Sequence, residues 1–566
     1  MPASDKLSGR LTLRGRRLKW RYKPFHANDP LSTWEGLLKA RGIPEEQAFF
    51  SPRLANLPNP EGMQDMAKAA DRLARAVIEG EHIHIFGDFD CDGVCGAAIL
   101  VDLLAQAGVR VSASIPHRIH DGHGIDPDNI EKAYVEGVSR AISVDTGISE
   151  DVASKKALSL GLDLVITDHH LPAEHLPEAF AILDPARADC GFAGGILCGT
   201  GVAFFLLMAT WRRLRESGRT MPDLKQALDR VAIATIADVM SLTGVNRILV
   251  SHGLKQLNDQ PSDGIAALLN KGRSKGQITA QNIGFQIAPR LNAAGRMDHG
   301  KQAMQLLCCR DPDKAANLAA ELDELNRQRQ NVERKTFAIV EERLKETGND
   351  ALVAFDSEWH AGVVGLVAGR LSRKHSRPAA VGFVEPDGCI RVSLRGGRGF
   401  HVGKLLDSCS AHLIGYGGHA GAGGGSMAAE SWDGFVKAFS LAVQGQETSA
   451  SSAEPLYVDG VIGTDAVHAG LIERLQWLQP FGQGHPEGLW CFESMKIVQR
   501  RDMRGGNIRL LLESETSRLN AVIFRAADIE SSLTPGSAHS FLGYLRFDEY
   551  RGGSQIQFII EDVFCL

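Results

Sequence analysis

No run of apolar residues approaches the length of about 18 that a membrane-spanning helix needs, and the opening residues carry no hydrophobic signal-peptide segment. The expectation is a cytoplasmic protein that does not enter the membrane. Ten cysteines are scattered with no CxxC pair, which excludes a disulfide framework and a structural zinc site of the usual spacing. The phosphate-binding loop GxxxxGK[ST] is missing, so nucleoside-triphosphate hydrolysis by that route is not supported. Positive charge is not in excess either. There are 62 Lys+Arg against 68 Asp+Glu, a formal net charge of -6. Taken alone, that balance argues against a nucleic-acid partner, which is more often held by a basic protein.

The chain is 566 residues long, of which 44% are hydrophobic and 23% charged. That composition is globular, and at about 100–200 residues per domain the length predicts three or four domains. Residues 10–23 hold seven basic residues and no acid. This stretch reads as a solvated basic arm, with a nucleic-acid or membrane-surface contact as the sharper alternative. From 62 to 240, short apolar runs (His82–Phe86, Ala141–Val144, Leu164–Thr167, Ala181–Leu183) alternate with helical stretches such as Val94–Ala107 and Gly201–Arg215. This rhythm predicts βα units and a mostly parallel sheet, with ligands at the carboxyl ends of its strands. Residues 313–347 contain no Gly or Pro, and Leu318, Leu322, Leu325 and Val332 form one stripe of a long connecting helix. A second α/β block spans about 350–440, and the small polar stretch 444–453 reads as a linker. After it come strand-like segments at Leu510–Leu512, Leu519–Phe524, Phe541–Phe547 and Gln555–Ile560, the last two flanking the turn DEYRGGS. They point to a small barrel, with an OB-fold as a candidate.

The densest chemistry lies in GDFDCDG, residues 87–93. Asp88, Asp90 and Asp92 follow an apolar strand at a spacing of two. Carboxylates a few Å apart repel by roughly 4 kcal/mol per pair at an effective dielectric of 20, so they must share protons, gain basic partners or hold a cation. The pattern also opens an EF-hand calcium loop, but that loop needs Glu at its twelfth position, and Ile99 stands there. EF-hand binding is excluded. Two further strand ends carry matching groups: Asp145 in SVDTGIS, and Asp168, His169 and His170 in TDHHLP. A lone Asp or His at a strand end is more often a cap, but three such ends in one sheet form a constellation. Carboxylates mixed with imidazole suit Mn²⁺ or Mg²⁺, and two cations would suit in-line displacement at phosphorus.

GDFDCDG, SVDTGIS and TDHHLP, read in order, resemble the first three motifs of the DHH phosphoesterase superfamily, and IATIADVMSL resembles the fourth, with Asp238. IAPRLNAAGRM (287–297) is similar to a signature of the RecJ branch, exonucleases of single-stranded DNA. EWHAGVVGLVAGRL, RVSLRGGRGFH and GGHAGAGG resemble the accompanying DHHA1 domain, and PFGQGHPE resembles the start of the branch's OB-fold. The similarity runs from about residue 60 to the end, in order.

The resemblance implies an α/β architecture: a basic arm and helical segment (1–60), a parallel-sheet DHH catalytic domain (61–300), a connecting helix (301–347), a smaller DHHA1 substrate-binding domain (348–443) and a C-terminal OB-fold β-barrel (454–566). It implies that Asp90, Asp92, Asp145, His169 and Asp238 hold two Mn²⁺ or Mg²⁺ ions, with Asp145 between them. Asp88 and Asp168 would orient these ligands, and His170 would face the scissile phosphate. It also implies DNA contacts at Arg118, Arg290, Asn292, Arg296, Arg370, Ser393, Arg395 and His419. Residues 370–400 carry seven Lys/Arg and two Asp/Glu, which supports that part from composition. The implied activity is 5′→3′ hydrolysis of single-stranded DNA to 5′-mononucleotides in repair and recombination, by a monomer with single-strand-binding protein and a helicase as partners. The alternatives are a DHH phosphodiesterase of short oligonucleotides or cyclic dinucleotides, and a non-catalytic DHH scaffold. Departures from the pattern are Phe86 where some members place a metal-binding His, His123 for an aromatic, Gly396 for Ser, and no His in NIRL (507–510).

Overall fold

The computed structural model describes residues 9–22, 25–43, 47–118, 124–272, 276–347, 352–397, 399–450, 455–548 and 555–565. The chain forms two compact units, residues 53–450 with 482–484, and residues 1–52 with 451–481 and 485–566.

The larger unit begins with a five-stranded sheet, β1 (Ile83–Gly87), β2 (Val111–Ser114), β3 (Arg140–Val144), β4 (Asp163–Thr167) and β5 (Ala181–Leu183), in the order β2-β1-β3-β4-β5. All pairings are parallel. The strands read as continuous apolar runs because helices cover both faces. Helix α1 (Cys91–Gln106), α2 (Gly199–Glu216) and α3 (Leu228–Ala237) pack into one core with β1 and β3. The four strands expected from the sequence are present, and the edge strand β2, with its polar VSAS, is additional.

Helix α4 (Ala288–Met297) follows, and then α5 (Pro312–Thr347), 36 residues long. Ala315, Ala319 and Leu322 of α5 lie in the first core, while Phe337 and Val340 lie in the core of the second sheet. The expected connector is therefore a shared wall of both halves. The second sheet consists of β6 (Leu352–Asp356), β7 (Ala379–Val384), β8 (Ile390–Arg395), β9 (Gly415–Gly418) and β10 (Ala422–Met427), ordered β9-β10-β8-β7-β6, with α6 (Ala361–His375) packed on it. The expected linker at 444–453 begins as helix, because Trp432–Ala450 continues through it. Gln, Glu and Ala are good helix formers and the stretch has no Pro.

In the smaller unit, β11 (Trp490–Met503), β12 (Asn507–Glu513), β13 (Arg518–Ile523), β14 (Ala538–Phe547) and β15 (Ile556–Cys565) run in the order β12-β13-β15-β14-β11, and β11 pairs with β12 to close the barrel. This is the OB-fold order. The turn between β14 and β15 falls mostly outside the described residues, but Phe547 pairs with Ile556 as a hairpin requires.

The basic arm departs from both readings of the sequence. Strand Arg17–Trp20 pairs in parallel with Pro455–Val458, and His26–Ala27 with Gly460–Ile462. Its arginines meet acids of the barrel: Arg16 reaches Glu561 at 2.8 Å and Asp562 at 2.7 Å, and Arg14 reaches Asp528 at 3.1 Å. Residues 1–52 therefore belong to the barrel unit rather than to a separate 1–60 segment. Asp562 is fully buried and accepts from Thr12 Oγ1 (2.7 Å), Arg16 Nε (2.7 Å), Val563 N (2.9 Å) and Arg14 N (3.3 Å). Breaking a buried pair from one side costs about 3–5 kcal/mol. Asp562→Ala is expected to lower unfolding free energy by about that amount in urea titration, while Asp528→Ala, at the exposed pair, changes it by less than about 1 kcal/mol.

Candidate metal centre

Three aspartates stand in one row because of strand register. Gly87 pairs with Val144 and Val144 with Thr167, so the next residue on each strand is Asp88, Asp145 or Asp168. Main-chain bonds carry the ladder one step further: Asp88 N donates to Val144 O (3.2 Å), Asp145 N to Thr167 O (2.9 Å) and Asp168 N to Leu183 O (3.0 Å). The row lies at the carboxyl edge of the sheet, where the strand order turns back between β1 and β3, the place at which open α/β sheets bind ligands.

The turn after β1 delivers two more acids. Asp90 is the N-cap of α1, and its Oδ1 accepts from Asp92 N (2.9 Å) and Gly93 N (3.2 Å). Asp92 is buried and reaches the start of α2, where its oxygens accept from Gly199 N (2.7 Å) and Thr200 N (2.9 Å). Helix N-termini favour negative charge, so the two helices offset part of the repulsion. Two glycines allow this approach. A Cβ at Gly93 would lie 2.5 Å from Asp88 N, and one at Gly199 would lie 2.7 Å from Asp145 Cβ. Asp145 itself has φ 61, and Val239, next to Asp238, has φ 55. Left-handed backbone at non-glycine residues costs of order 1–3 kcal/mol and clusters at functional sites.

Asp238 ends α3 and faces the same point. His169 Nε2 lies 3.0 Å from Asp145 Oδ1, 3.6 Å from Asp238 Oδ2 and 3.8 Å from Asp92 Oδ2. The side chains fall into three overlapping groups whose donor atoms lie within 4.8 Å of one another: Asp92, His169 and Asp238; Asp88, Asp90 and Asp145; and Asp145, His169 and His170. Asp145 belongs to two of them, and Asp88 stands among the donors rather than behind them. Phe86 is buried against His84, with ring centroids 4.5 Å apart, and His84 is hydrogen-bonded to Ser112 and Ser114. Neither supplies a sixth ligand.

Burial, then Asp90, pushes Asp88 up to about 7. Burial, then Asp92 and Asp90, pushes Asp238 up to about 8, and burial, then Asp92, drives Asp145 well above the carboxylate range. His169 is pushed down by burial. His170 is half exposed and moves up to about 9, because its Nδ1 lies 2.7 Å from Asp168 Oδ1. Burial alone would raise Asp168, but the bond from His170 and the amides of Ile148 and His169 hold it below its ordinary range. Among the described residues the cluster therefore has a cationic imidazole on its rim and no Lys or Arg at its centre, where carboxylates converge on His169. A divalent cation fits that donor set and would release the protons the acids otherwise hold.

Beside the acids stands a cationic wall. Arg118 lies over the Phe89 ring, 5.0 Å from its centroid, and feels Asp88 and Asp90. Arg296 is pushed down to about 10 by burial and by Arg118, Arg329 and Arg395. Arg395, with Ser393 Oγ 3.2 Å from its Nη1, is lowered by burial and by Arg118. Other expected contacts are committed within the protein. Arg290 Nε pairs with Asp323 at 2.9 Å, Asn292 Oδ1 accepts from Cys91 N at 2.8 Å, and Arg370 lies 3.9 Å over the Phe337 ring and 3.9 Å from Glu333. His419 is exposed, and its Nδ1 accepts from Gly421 N. His123 lies outside the described residues, and Gly396 donates its N–H to Gly421 O (2.9 Å). The motifs did not flag Thr200, Arg329 or Asp184, a fully buried acid after β5 that burial raises to about 6. Only the run CGTGV at the head of α2 hints at Thr200.

Raised carboxyls contribute stability that is complete below the ordinary carboxylate pKa and is lost as the pH rises through their folded values, here about 7 for Asp88 and about 8 for Asp238. In EDTA the thermal midpoint is expected to fall from about pH 4, the ordinary carboxylate value, to about pH 8, where Asp238 finishes titrating, and to level off above it. Mn²⁺ or Mg²⁺ should raise it more at pH 8 than at pH 6. Differential scanning calorimetry checks this, and an equal metal-induced rise at both pH values would contradict the titration.

Comparison with known proteins matches three family models in order: the DHH family N-terminal domain over residues 82–235, the DHHA1 domain over 348–445 and the RecJ OB domain over 458–562. The single-stranded-DNA-specific exonuclease RecJ of Escherichia coli is 31% identical over 552 residues, covering 93% of this chain and 95% of the relative. That of Dickeya dadantii is 34% identical over 88% of this chain and 90% of the relative. The crystal structure of RecJ in complex with Mn²⁺ from Thermus thermophilus superposes with a TM-score of 0.78 at 26% identity, covering 96% of this chain and 79% of that one. A Mg²⁺ complex from the same organism gives 0.74 at 25% identity, over 98% of this chain and 79% of that one. With its three parts matched in order and two relatives at 31% and 34% identity covered over 95% and 90% of their length, this chain belongs to the RecJ family.

Proposed function

We propose that this chain is a divalent-metal-dependent exonuclease that degrades single-stranded DNA from its 5′ end to 5′-mononucleotides. The observation that carries the reading is the buried carboxylate–imidazole row beside Arg118, Arg296 and Arg395. Acids alone would repel a phosphodiester, and arginines alone would hold one without cleaving it. The donors Asp88, Asp90, Asp92, Asp145, His169 and Asp238 would hold two Mn²⁺ or Mg²⁺ ions, which supply Lewis-acid activation of water and of the phosphoryl oxygens. His170, cationic at neutral pH and oriented by Asp168, donates toward charge that develops on the phosphate. The arginines hold the phosphate on the other side through planar guanidinium forks.

The barrel unit supports a long single strand over a dinucleotide. Arg501 and Arg509 stand directly opposite each other on β11 and β12, a like-charge pair that costs stability. Among the described residues neither carries an ion pair. Arg504 lies in the intervening hairpin, and Phe524 at the end of β13 is 49% exposed. Strands 2 and 3 of an OB-fold are its usual oligonucleotide face. The acid and His set is intact, which favours an enzyme over a scaffold. Repair and recombination, single-strand-binding protein and a helicase as partners, and a monomeric state follow the family resemblance. A cytoplasmic location is supported by the free cysteines, and no helix among the described residues is long and apolar enough to cross a membrane.

Purified protein with Mn²⁺ is expected to release mononucleotides from 5′-labelled single strands and to prefer them over dinucleotides and blunt duplex. Asp145→Ala should abolish release, and His170→Gln should lower kcat by about 10²–10³. Activity that survives in Asp145→Ala would overturn the mechanism. Arg501→Ala with Arg509→Ala should leave mononucleotide release from short oligomers unchanged. The same pair should weaken binding of long strands and flatten its log-salt slope by about 1.4, at about 0.7 per lost phosphate contact.

A further inference from the structure

We propose that Asn292 is a positioning residue of the metal centre rather than a DNA contact. The proposal rests on the reading of the acid row as a cation site. The turn Asp88–Asp92 carries three of its carboxylates, and main-chain packing against α4 holds that turn. Cys91 N, at the first position of α1, donates to Asn292 Oδ1 at 2.8 Å. The next two amides, Asp92 N and Gly93 N, donate to Asp90 Oδ1. Among the described residues, Asn292 therefore supplies the one side-chain acceptor for this helix start that comes from outside the turn.

Gly295 on α4 and Gly300, just beyond the helix, clamp the same segment. A Cβ at Gly295 would lie 2.5 Å from Phe89 O, and one at Gly300 would lie 3.2 Å from that oxygen. The Phe89 carbonyl is thus closely approached by both glycines while Asn292 takes the amide of Cys91. Cys91 is buried, so without Asn292 its N–H is left without an acceptor, a penalty the chain relieves by shifting the turn. A shift of Cys91 displaces the flanking Asp90 and Asp92, and Asp90 already spends its Oδ1 on the helix cap. Arg296, one helical turn further along α4, stands in the arginine wall and donates from Nη1 to Gly362 O at 3.4 Å. The same helix thus serves both halves of the site through different residues.

Isothermal titration of the full-length protein with Mn²⁺, and fluorescence anisotropy of a 5′-phosphorylated oligothymidylate in EDTA, separate the two roles. Wild type binding Mn²⁺ in the first assay is the control for the cation site itself; its failure would sink that reading, not this one. Asn292→Ala is expected to lose about tenfold in Mn²⁺ affinity, the usual cost of removing a group that orients ligands, with DNA affinity in EDTA within twofold of wild type. Arg296→Ala should show the reverse. Asn292→Asp keeps an acceptor for Cys91 N but offers phosphate a negative charge. It should restore Mn²⁺ affinity to within about threefold and leave DNA binding intact, and it serves as the check if the alanine variant misfolds. Unchanged Mn²⁺ affinity in Asn292→Ala, or loss of DNA affinity in Asn292→Asp, would overturn the proposal.

Discussion

Everything in the larger unit answers to one electrostatic problem, the crowding of aspartates at the buried edge of a parallel sheet. Strand register creates the crowding by placing Asp88, Asp145 and Asp168 at one level. The surroundings then make the charge tolerable without neutralising it. Two helix N-termini point at Asp90 and Asp92, glycines let main chain approach within contact distance, and left-handed backbone at Asp145 and Val239 aims the ligands. Each of these devices costs conformational freedom or strain, and their concentration at one edge marks where stability has been given up for chemistry.

Opposite charge is kept separate rather than mixed in. Direct Asp–Arg pairs would be a simpler way to stabilise the acids, and the protein uses such pairs elsewhere, as in Arg230 with Asp102 or Arg72 with Asp163. At the site, Arg118 stacks on Phe89 and Arg395 leans on Ser393. The two signs thus face a common space and remain available to a phosphodiester, whose own charge requires both. Helix α5 holds this arrangement, since its first half is core to the sheet that carries the acids and its second half is core to the sheet that carries Arg395.

Much of this was legible in the sequence, for identifiable reasons. Fully buried strands announce themselves as apolar runs, so β1, β3, β4 and β5 were readable, and the aspartates at their ends followed. The polar edge strand β2 and the 14-residue strand β11 were not read. The first lacks an apolar run, and two bulges interrupt the alternation of the second. The grouping of donors around Asp145 was accessible only through resemblance, because no spacing rule connects Asp238 to Asp90. The sequence reading failed where charge was taken for function. Seven basic residues near the start look like a free arm, yet two of them, Arg14 and Arg16, pair with acids more than 500 positions away, beyond the reach of any local pattern. Asn292, implied by resemblance as a DNA contact, accepts from the backbone amide of Cys91, a link across 201 positions that no local pattern displays.

That pairing of Arg16 with Asp562 has a consequence for how the molecule is made. Arg16 and Thr12 cannot find Asp562 until the last barrel strand has left the ribosome. At about 5–20 residues per second, that leaves the early segment waiting roughly half a minute to two minutes, while the metal-binding half has everything it needs to assemble. The barrel unit is thus the last part completed, its earliest-made piece pinned to its last strand. Vectorial synthesis places the hydrolytic site first and the surface proposed to feed it second.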